Sequence, residues 1–485
     1  DDPGRVLAAG HDFFASPRPS PDGRHLAWLA WDHPDMPWDA ATLWLAEVGG
    51  DGSPGAPRAV AGGPGASVFQ PEWGPDGALY FVGEASGWWN LYRLEDGTPR
   101  ALAPMEAEFG RPQWQLDMRT YAFGPDRRLY CTWTRDGLWH LGVLDPASGA
   151  LEALPMPYTD LADLAGGAHG VYLTGAGPDT PREVVHLEPA TRSTRVLARA
   201  SRLELDPALL SRPRALTFPT EDGEVAHGFF YPPTSPDHRA PEGTRAPLLV
   251  RGHGGPSAAT GTALNLGFQF WTSRGIGVLD VNYRGSTGYG RAYRERLYGA
   301  WGVADVADCV HGARHLANTG EADPRRLAIR GSSAGGYTAL AALAFHDTFR
   351  AGASLYGIGE LAALAEDTHK FESRYLERLV GPWPEAADTY RARSPLHHLE
   401  GFTAPAIFLQ GLEDRVVPPS QAEAMVAALE GKGIPVAYVT FPDEQHGFRR
   451  GENIRRALEA ELYFYGRVFG FTPADPLDPV PIRNL

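Results

Sequence analysis

Three turns of the same composition recur in the first part of the chain, and they constrain its fold more than any other feature. Ser-Pro-Asp or Gly-Pro-Asp stands at Pro21, Pro75 and Pro125, which are 54 and 50 residues apart. Each turn precedes alternating strands rich in aromatic and aliphatic residues, and a weaker fourth copy starts at Gly166. Four short strands per roughly 40 to 50 residues is the period of a β-propeller blade. A β-sandwich with coincidental turns is the alternative.

Near residue 205 the pattern changes to strands that alternate with helices. Such alternation is typical of a mostly parallel sheet with helices on both faces, and two antiparallel-looking strands in front suit an α/β-hydrolase sheet. We therefore predict a β-propeller of about four visible blades, incomplete, over residues 1–205 and an α/β-hydrolase domain over residues 206–485. Eight candidate strands of the second domain begin at Arg214, Val225, Ala246, Gly275, Arg326, Arg350, Pro405 and Val436.

Charge and composition exclude several kinds of partner. The 485 residues carry a formal net charge of -15, which argues against a nucleic-acid backbone or an anionic membrane as the main partner. No apolar run approaches the length of a membrane span, and Cys131 and Cys309 imply no disulfide framework. No metal-ligand cluster or cofactor motif is recognisable. We expect a cytoplasmic protein without a cofactor.

The segment from Gly331 to Gly335 lies between an apolar strand and an apolar helix. It matches G-x-S-x-G, with Ser333 at its centre, in the strand, turn and helix context that this motif requires. Glycine is needed on both sides because a Cβ there would crowd the opposing backbone of a sharp turn. We predict that Ser333 is an exposed nucleophile. A glycine-rich turn without chemistry, or a phosphate-binding loop, is the alternative.

A serine nucleophile needs a base and an acid that orients it, which in this sheet follow in the order Ser, Asp, His. Asp414 comes after the seventh predicted strand and His446 after the eighth. We expect His446 to accept the Ser333 proton and return it to the leaving group, while Asp414 fixes the tautomer. Asp443 and Glu444 stay open as alternative partners of the histidine.

Two backbone N–H groups usually hold the oxyanion of such a reaction. One is expected from Ala334, the residue after the nucleophile. The other is expected from the loop after the third strand, where "RGHGGPSAA" supplies Gly254 and Gly255. A Gly-Gly-Pro turn is also common without any function, but its position here is the one that an esterase or peptidase uses.

The segments "HGGP", "VNYRGSTGYG", "GSSAGGY", "EDRVVP" and "QHGF" occur in this order. In these motifs and their spacing the chain resembles the prolyl oligopeptidase family of serine peptidases, and within it the acylaminoacyl-peptidase branch. The resemblance implies a triad of Ser333, Asp414 and His446, with oxyanion donors at Ala334 and Gly255. It also implies hydrolysis of short peptides through an acyl-enzyme.

Two features depart from the family pattern. Family propellers usually have seven blades, so a four-bladed chain is expected to expose a sheet edge, which favours a homo-oligomer. Dipeptidyl-peptidase relatives anchor a free amino terminus with an adjacent Glu-Glu pair, which residues 1–205 lack; Glu106 and Glu108 are only a loose substitute. This favours N-acylated or longer peptides as substrates.

The sequence names three candidate pocket residues, Tyr337, Tyr356 and Arg415, although core positions are equally compatible with the tyrosines. The charged segment 366–375 follows the sixth strand, and it either caps the site or forms a solvated helix. A dipeptidyl peptidase, a carboxylesterase of the same fold and a non-catalytic propeller scaffold remain as alternative functions.

Overall fold

The computed structural model describes residues 4–366 and 368–485. The chain divides into two compact units. The first contains the described part of Asp1–Leu203 together with Gly261–Leu264 and Thr287–Arg294, and the second contains the remainder. The predicted division after residue 205 does not assign the two short stretches, Gly261–Leu264 and Thr287–Arg294, to the first unit. As a boundary between two domains it stays a prediction.

Within the described residues, the first unit contains four four-stranded antiparallel sheets, in each of which neighbouring strands are consecutive in sequence. This meander is that of a propeller blade and confirms the predicted fold class for this part of the chain. A short helix, α1 (Pro37–Ala40), lies between the second and third strands of the first sheet in the sequence. The strands are β1 (Phe13–Pro19), β2 (His25–Trp31), β3 (Thr42–Glu47), β4 (Arg58–Gly62), β5 (Val68–Trp73), β6 (Leu79–Gly83), β7 (Asn90–Glu95), β8 (Thr98–Ala101), β9 (Tyr121–Phe123), β10 (Leu129–Arg135), β11 (Leu138–Leu144), β12 (Leu151–Leu154), β13 (Asp160–Gly167), β14 (Gly170–Gly177), β15 (Thr180–Leu187) and β16 (Thr194–Arg199).

The repeated Pro-Asp turns join the first two strands of three of these sheets. Asp22, Asp76 and Asp126 each accept a hydrogen bond from the backbone N–H two residues later, at 3.0, 3.1 and 3.3 Å. Proline fixes φ at the turn, and the aspartate satisfies an N–H that has no partner strand there. The same two residue types therefore specify the same turn three times.

The second unit is built on one eight-stranded sheet with the strand order β17-β18-β20-β19-β21-β22-β23-β24. The first two strands are antiparallel to their neighbours, and the other six run parallel. All eight predicted strands are present, and this arrangement confirms the α/β-hydrolase class. The strands are β17 (Arg214–Pro219), β18 (Val225–Tyr231), β19 (Ala246–Gly252), β20 (Gly277–Asn282), β21 (Ala322–Ser332), β22 (Ala351–Leu355), β23 (Ala406–Gly411) and β24 (Val436–Phe441).

Helices follow most of the parallel strands and cover the sheet. Every position of β20 and β23 is buried, as expected for parallel strands packed on both faces. The polar side chains that end these strands are thereby brought to one edge of the sheet. The remaining helices are α2 (Leu266–Thr272), α3 (Arg291–Arg294), α4 (Ala304–Asn318), α5 (Ala334–Phe345), α6 (Leu361–Glu366), α7 (Tyr375–Leu379), α8 (Ala387–Arg393), α9 (Pro419–Lys432) and α10 (Gly451–Phe469).

A buried ion-pair network holds the stretch Thr287–Arg294 within the first unit. The Glu84 carboxylate accepts hydrogen bonds from Arg291 Nη1 at 2.8 Å and Arg294 Nη2 at 2.6 Å. The side chains of Glu84 and Arg294 are fully buried. A buried charge is tolerated only when it is paired, so these contacts fix where the stretch lies in the first unit.

Glu108 belongs to the same network and is also fully buried. It accepts hydrogen bonds from the backbone N–H groups of Trp89 at 2.8 Å and Gly290 at 3.1 Å. Burial raises the pKa of Glu108 to about 7, against the opposing effect of Arg294. This carboxyl braces the backbone of the first unit, whereas Glu106 is exposed.

We predict that Glu108→Gln reduces the pH dependence of stability. The native pKa of Glu108 lies above its unfolded value, so its contribution to stability is lost as pH rises from about 4.5 to 7. The free energy of unfolding of the variant relative to wild type should therefore rise by about 1 to 3 kcal/mol between pH 5 and 8. Urea unfolding at several pH values measures this, with Glu106→Gln as the control. Parallel curves for Glu108→Gln and wild type would contradict the assignment.

Candidate active site

Ser333 occupies a strained turn between β21 and α5. Its φ of +55° lies in a region that side-chain-bearing residues rarely adopt. The turn is compatible with the surrounding backbone only because glycines flank it. A Cβ on Gly331 would overlap the carbonyl of Gly335, and a Cβ on Gly335 would overlap the carbonyl of Gly252. The close backbone contact expected from the G-x-S-x-G motif is thus present, and it depends on glycine at both positions.

The side chains of Ser333, His446 and Asp414 form one hydrogen-bonded chain. Ser333 Oγ lies 2.9 Å from His446 Nε2, and His446 Nδ1 lies 2.7 Å from Asp414 Oδ2. Asp414 is fully buried, and its Oδ1 accepts hydrogen bonds from the N–H groups of Val416 and Val417, each at 2.9 Å. These contacts leave Oδ2 facing the imidazole. The geometry suits proton transfer from the serine to Nε2, with the carboxylate fixing the Nδ1–H tautomer.

The alternative acidic partners of His446 have other contacts. Asp443 forms an ion pair with Arg450 at 2.7 Å. Glu444 accepts hydrogen bonds from the N–H groups of Arg449 and Arg450, and these bonds, against the opposing effect of burial, keep the pKa of its carboxyl below the ordinary value. Glu444 therefore shapes the loop that follows the histidine, and Asp414 is the carboxylate bonded to the ring.

Two backbone N–H groups next to Ser333 are suited to an oxyanion. Ala334 is the first residue of α5, so its N–H has no acceptor within the helix. Gly255 lines the same cleft as Ser333 and has a φ of +125°, which requires glycine. No protein acceptor among the described residues takes the Gly255 N–H. The adjacent Gly254 passes so close that a Cβ there would lie 3.7 Å from the Ser333 Cβ.

Three buried side chains hold the loop that carries Gly255. The His253 ring stacks on the Tyr283 ring with centroids 4.1 Å apart. The Tyr283 hydroxyl lies within hydrogen-bond distance of two loop carbonyls, 3.0 Å from that of His253 and 3.3 Å from that of Pro256. Ser286 Oγ lies 2.7 Å from His253 Nε2. The loop is therefore fastened to the sequence that follows β20.

The His253 ring is kept neutral in this network. Burial lowers the pKa of His253 to about 4. With Nδ1 2.9 Å from the carbonyl of Gly254, the consistent tautomer places the proton on Nδ1, so that Nε2 accepts from the Ser286 hydroxyl. His253 is thus a neutral support for the loop that carries Gly255.

Tyr356 contacts the catalytic histidine directly. Its ring packs edge-on against His446, with centroids 5.0 Å apart, and against Phe448 at 5.3 Å. Burial raises the pKa of Tyr356, and a hydrogen bond with Ser332 acts in the opposite direction. The predicted pocket residue therefore packs on the base and restricts the rotation of its ring.

The cleft lining that contains Ser333 includes none of the three predicted pocket residues, Tyr337, Tyr356 and Arg415. Tyr337 is fully buried, donates a hydrogen bond to the carbonyl of Arg393 at 3.0 Å and packs against Trp301. This face of α5 points into the core, the alternative that the sequence left open for Tyr337. Trp301 does line the cleft, so Tyr337 supports the wall from behind. Arg415 is exposed on the loop after Asp414.

The segment 366–375 contributes to the cleft instead of forming a separate solvated helix. Thr368, Glu372, Ser373 and Tyr375 line the same cleft as Ser333. Tyr375 Oη is fixed 2.8 Å from Ser257 Oγ. Asp367 of the segment lies outside the described residues. Sequence reasoning noticed the charge of this segment but identified none of these residues, because no motif or periodicity marks them.

Within residues 4–366 and 368–485, no group of three or more His, Cys, Asp or Glu side chains is arranged to hold a metal ion. None of the helices in these ranges combines the length and apolar character of a membrane span. Cys131 and Cys309 are both free and buried.

Comparison with known proteins identifies the family. Residues 262–472 match the model of the prolyl oligopeptidase family. A puromycin-hydrolyzing peptidase of Mycobacterium tuberculosis is 46% identical, superposes with a TM-score of 0.95, and is aligned over 99% of this chain and 73% of its own. The chain belongs to the prolyl oligopeptidase family. The resemblance drawn from its motifs is confirmed.

Curated relatives match part of the chain. Dipeptidyl peptidase family member 6 of Caenorhabditis elegans is 34% identical over 213 residues, which are 42% of this chain and 29% of that protein. The acylamino-acid-releasing enzyme of Arabidopsis thaliana is 32% identical over 216 residues, which are 42% of this chain and 28% of that protein. The matched part thus spans less than a third of the length of these relatives.

We predict that Tyr283→Phe slows turnover more than it weakens substrate binding. The variant keeps the ring that stacks on His253 but loses the hydroxyl that holds two loop carbonyls, so the Gly255 N–H is less well placed when the oxyanion forms. We expect kcat to fall about 10-fold, less than the loss of a whole oxyanion donor, with little change in KM.

The matched control is Tyr438→Phe. Tyr438 lies on β24 of the same sheet, and its hydroxyl is buried without a hydrogen-bond partner among the described residues. Steady-state kinetics and thermal unfolding of both variants make the test. Equal kcat values for Tyr283→Phe and Tyr438→Phe would show that the hydroxyl does not position the oxyanion loop.

Proposed function

We propose that the protein is a serine peptidase that hydrolyses short peptides and related amides through an acyl-enzyme on Ser333. The observation that carries this proposal is the hydrogen-bonded chain from Asp414 through His446 to Ser333, which opens on a cleft next to the N–H groups of Ala334 and Gly255. Family membership supports the same reaction class.

The geometry supports the following sequence of bond changes. His446 Nε2 takes the proton of Ser333 Oγ as Oγ bonds to the substrate carbonyl carbon, and the carbonyl electron pair moves to the oxygen that faces Ala334 and Gly255. Collapse of this intermediate breaks the C–N bond, and the imidazolium gives its proton to the leaving amine. Water, deprotonated by His446, then cleaves the ester and restores Ser333. Asp414 stabilises the imidazolium in both halves of the reaction.

The names of the relatives support a substrate class for this proposal. Solved structures of relatives include a puromycin hydrolase and a puromycin-hydrolyzing peptidase, and curated relatives include acylamino-acid-releasing enzymes and dipeptidyl peptidases. Peptide and aminoacyl amides are therefore the first substrates to test, with the amino group either acylated or free. The burial of Glu108 weighs against its use as an anchor for a dipeptide amino terminus. A cytoplasmic location and a homo-oligomer stay predictions from the sequence.

We predict that Ser333→Ala abolishes turnover. Wild-type protein should hydrolyse leucyl or acetyl-leucyl p-nitroanilide, and the variant should lose at least about 1,000-fold in kcat, because no other group can form the acyl-enzyme. The neighbouring Ser332→Ala is the matched control and should keep the reaction. Retained peptidase activity in Ser333→Ala would reject the assignment of the nucleophile.

Labelling separates a peptidase from the esterase and scaffold alternatives. A fluorophosphonate should modify Ser333 in wild type, located by mass spectrometry, since only an activated serine reacts. Labelling with hydrolysis of p-nitrophenyl esters but of no anilide would indicate a carboxylesterase. Absence of labelling would indicate a protein without hydrolase chemistry.

A further inference from the structure

One carboxylate lies in the cleft beside the triad. Glu372 lines the cleft that also contains Ser333, and its side chain is 29% exposed. Burial raises the pKa of its carboxyl, while the positive charges of His369 and His446 act in the opposite direction. Glu372 therefore lies on the same cleft as Ser333, the residue whose Oγ is 2.9 Å from His446 Nε2.

The protein itself compensates this charge weakly. Within residues 4–366 and 368–485, the ion-pair partner of Glu372 is His369, whose Nε2 lies 3.5 Å from Oε1, and this pair exists only when the imidazole is protonated. His369 is itself 53% exposed, so water screens the interaction. Nearby Glu377, by contrast, is held by the Arg374 guanidinium through two hydrogen bonds. A partly buried carboxylate without such a partner is suited to binding a cation from outside.

The other walls of the cleft are largely apolar. Side chains of this kind bind an aliphatic or aromatic group and provide no partner for a long basic side chain. Among the described residues of this lining, Glu372 is the charged one. The apolar residues are Trp301, Ile358, Leu364, Leu376, Val416 and Val417.

The position of the amino group in the substrate determines which cation can reach Glu372. In an amide of a free amino acid, the α-ammonium group is attached to the carbon next to the carbonyl carbon that Ser333 attacks. It therefore enters the cleft with the reacting carbon, while the apolar side chain occupies the apolar wall. We propose that Glu372 binds the α-ammonium group of a substrate whose amino-terminal residue is apolar and is the residue transferred to Ser333.

This assignment gives the cleft a preference for free over N-acylated residues. Acylation replaces the ammonium by a neutral amide, so the Glu372 carboxylate is desolvated without a partner when such a substrate binds. The absence of a Glu-Glu pair from residues 1–205 favoured N-acylated or longer peptides as substrates. The proposal instead favours a free amino group, because Glu372 of the second unit provides a carboxylate for it. The inference rests on the proposed function, because it requires acylation of Ser333.

The test compares leucyl p-nitroanilide with acetyl-leucyl p-nitroanilide on wild type and Glu372→Gln. Glutamine keeps the size of the side chain and removes its charge. We expect wild type to prefer the free amine, and the ratio of the two kcat/KM values to fall roughly 10- to 100-fold in Glu372→Gln, mostly through the free amine. Glu385→Gln, an exposed carboxylate off the cleft lining, removes the same charge and should leave the ratio unchanged.

Charge reversal gives a second, independent measurement. Glu372→Lys should favour succinyl-leucyl over leucyl p-nitroanilide, because the new ammonium pairs with the succinyl carboxylate. A folded protein is verified in each variant by the rate of fluorophosphonate labelling. If wild type is not labelled and cleaves no amide, the proposed function fails. If labelling and hydrolysis are normal but the free-to-acetylated ratio is the same in Glu372→Gln as in wild type, only the role of Glu372 fails.

Acetyl-arginyl p-nitroanilide distinguishes a basic side chain from an α-amino group as the cation. Wild type should cleave it no better than the acetyl-leucyl compound. A strong preference for the arginyl compound that disappears in Glu372→Gln would overturn the assignment to the α-amino group.

Discussion

The active site depends on the close approach of α5 to the strands behind it. Ser333 has a backbone conformation that costs roughly 1 to 3 kcal/mol, and the packing of the surrounding strands and helix holds it in that conformation. Glycine at 331 and 335 allows backbone to touch backbone. A Cβ on Gly336 would likewise lie 2.7 Å from the Cα of Gly357. The same packing places Ser333 and Ala334, the predicted nucleophile and oxyanion donor, side by side on the cleft lining.

The parallel sheet supplies the rest of the triad without further strain. Strands β21, β23 and β24 run in one direction, and the residues after their carboxyl ends meet at one edge. Burial affects the side chains of Asp414 and His253, which follow strands at this edge, in different ways. Asp414 stays buried with N–H groups on one oxygen, which leaves the other to stabilise an imidazolium. His253, in the loop that carries Gly255, is instead kept neutral by burial, which lowers its pKa to about 4.

Chain order and local motif were sufficient to predict that Ser333, Asp414 and His446 meet, because each follows a strand whose direction the fold class fixes. They were insufficient for Tyr337, since a residue one turn into a helix faces either cleft or core according to tertiary packing. Glu372 carries no local signal at all. Its segment has neither helical nor strand periodicity, and only the fold around β22 brings it near Ser333. The stretch Thr287–Arg294 escaped prediction for the same reason, because its buried partner Glu84 is distant in sequence.

Substrate choice must come from the cleft walls, because the triad and the oxyanion donors act on a carbonyl whatever its neighbours are. An apolar wall discriminates weakly, since one methylene more or less changes binding by only about 1 to 3 kcal/mol. A carboxylate that must lose water discriminates more strongly, because a substrate without the matching cation leaves it unpaired. With the proposed role of Glu372, this physical asymmetry predicts that the amino group of the first residue, more than the size of its side chain, determines which amides are cleaved.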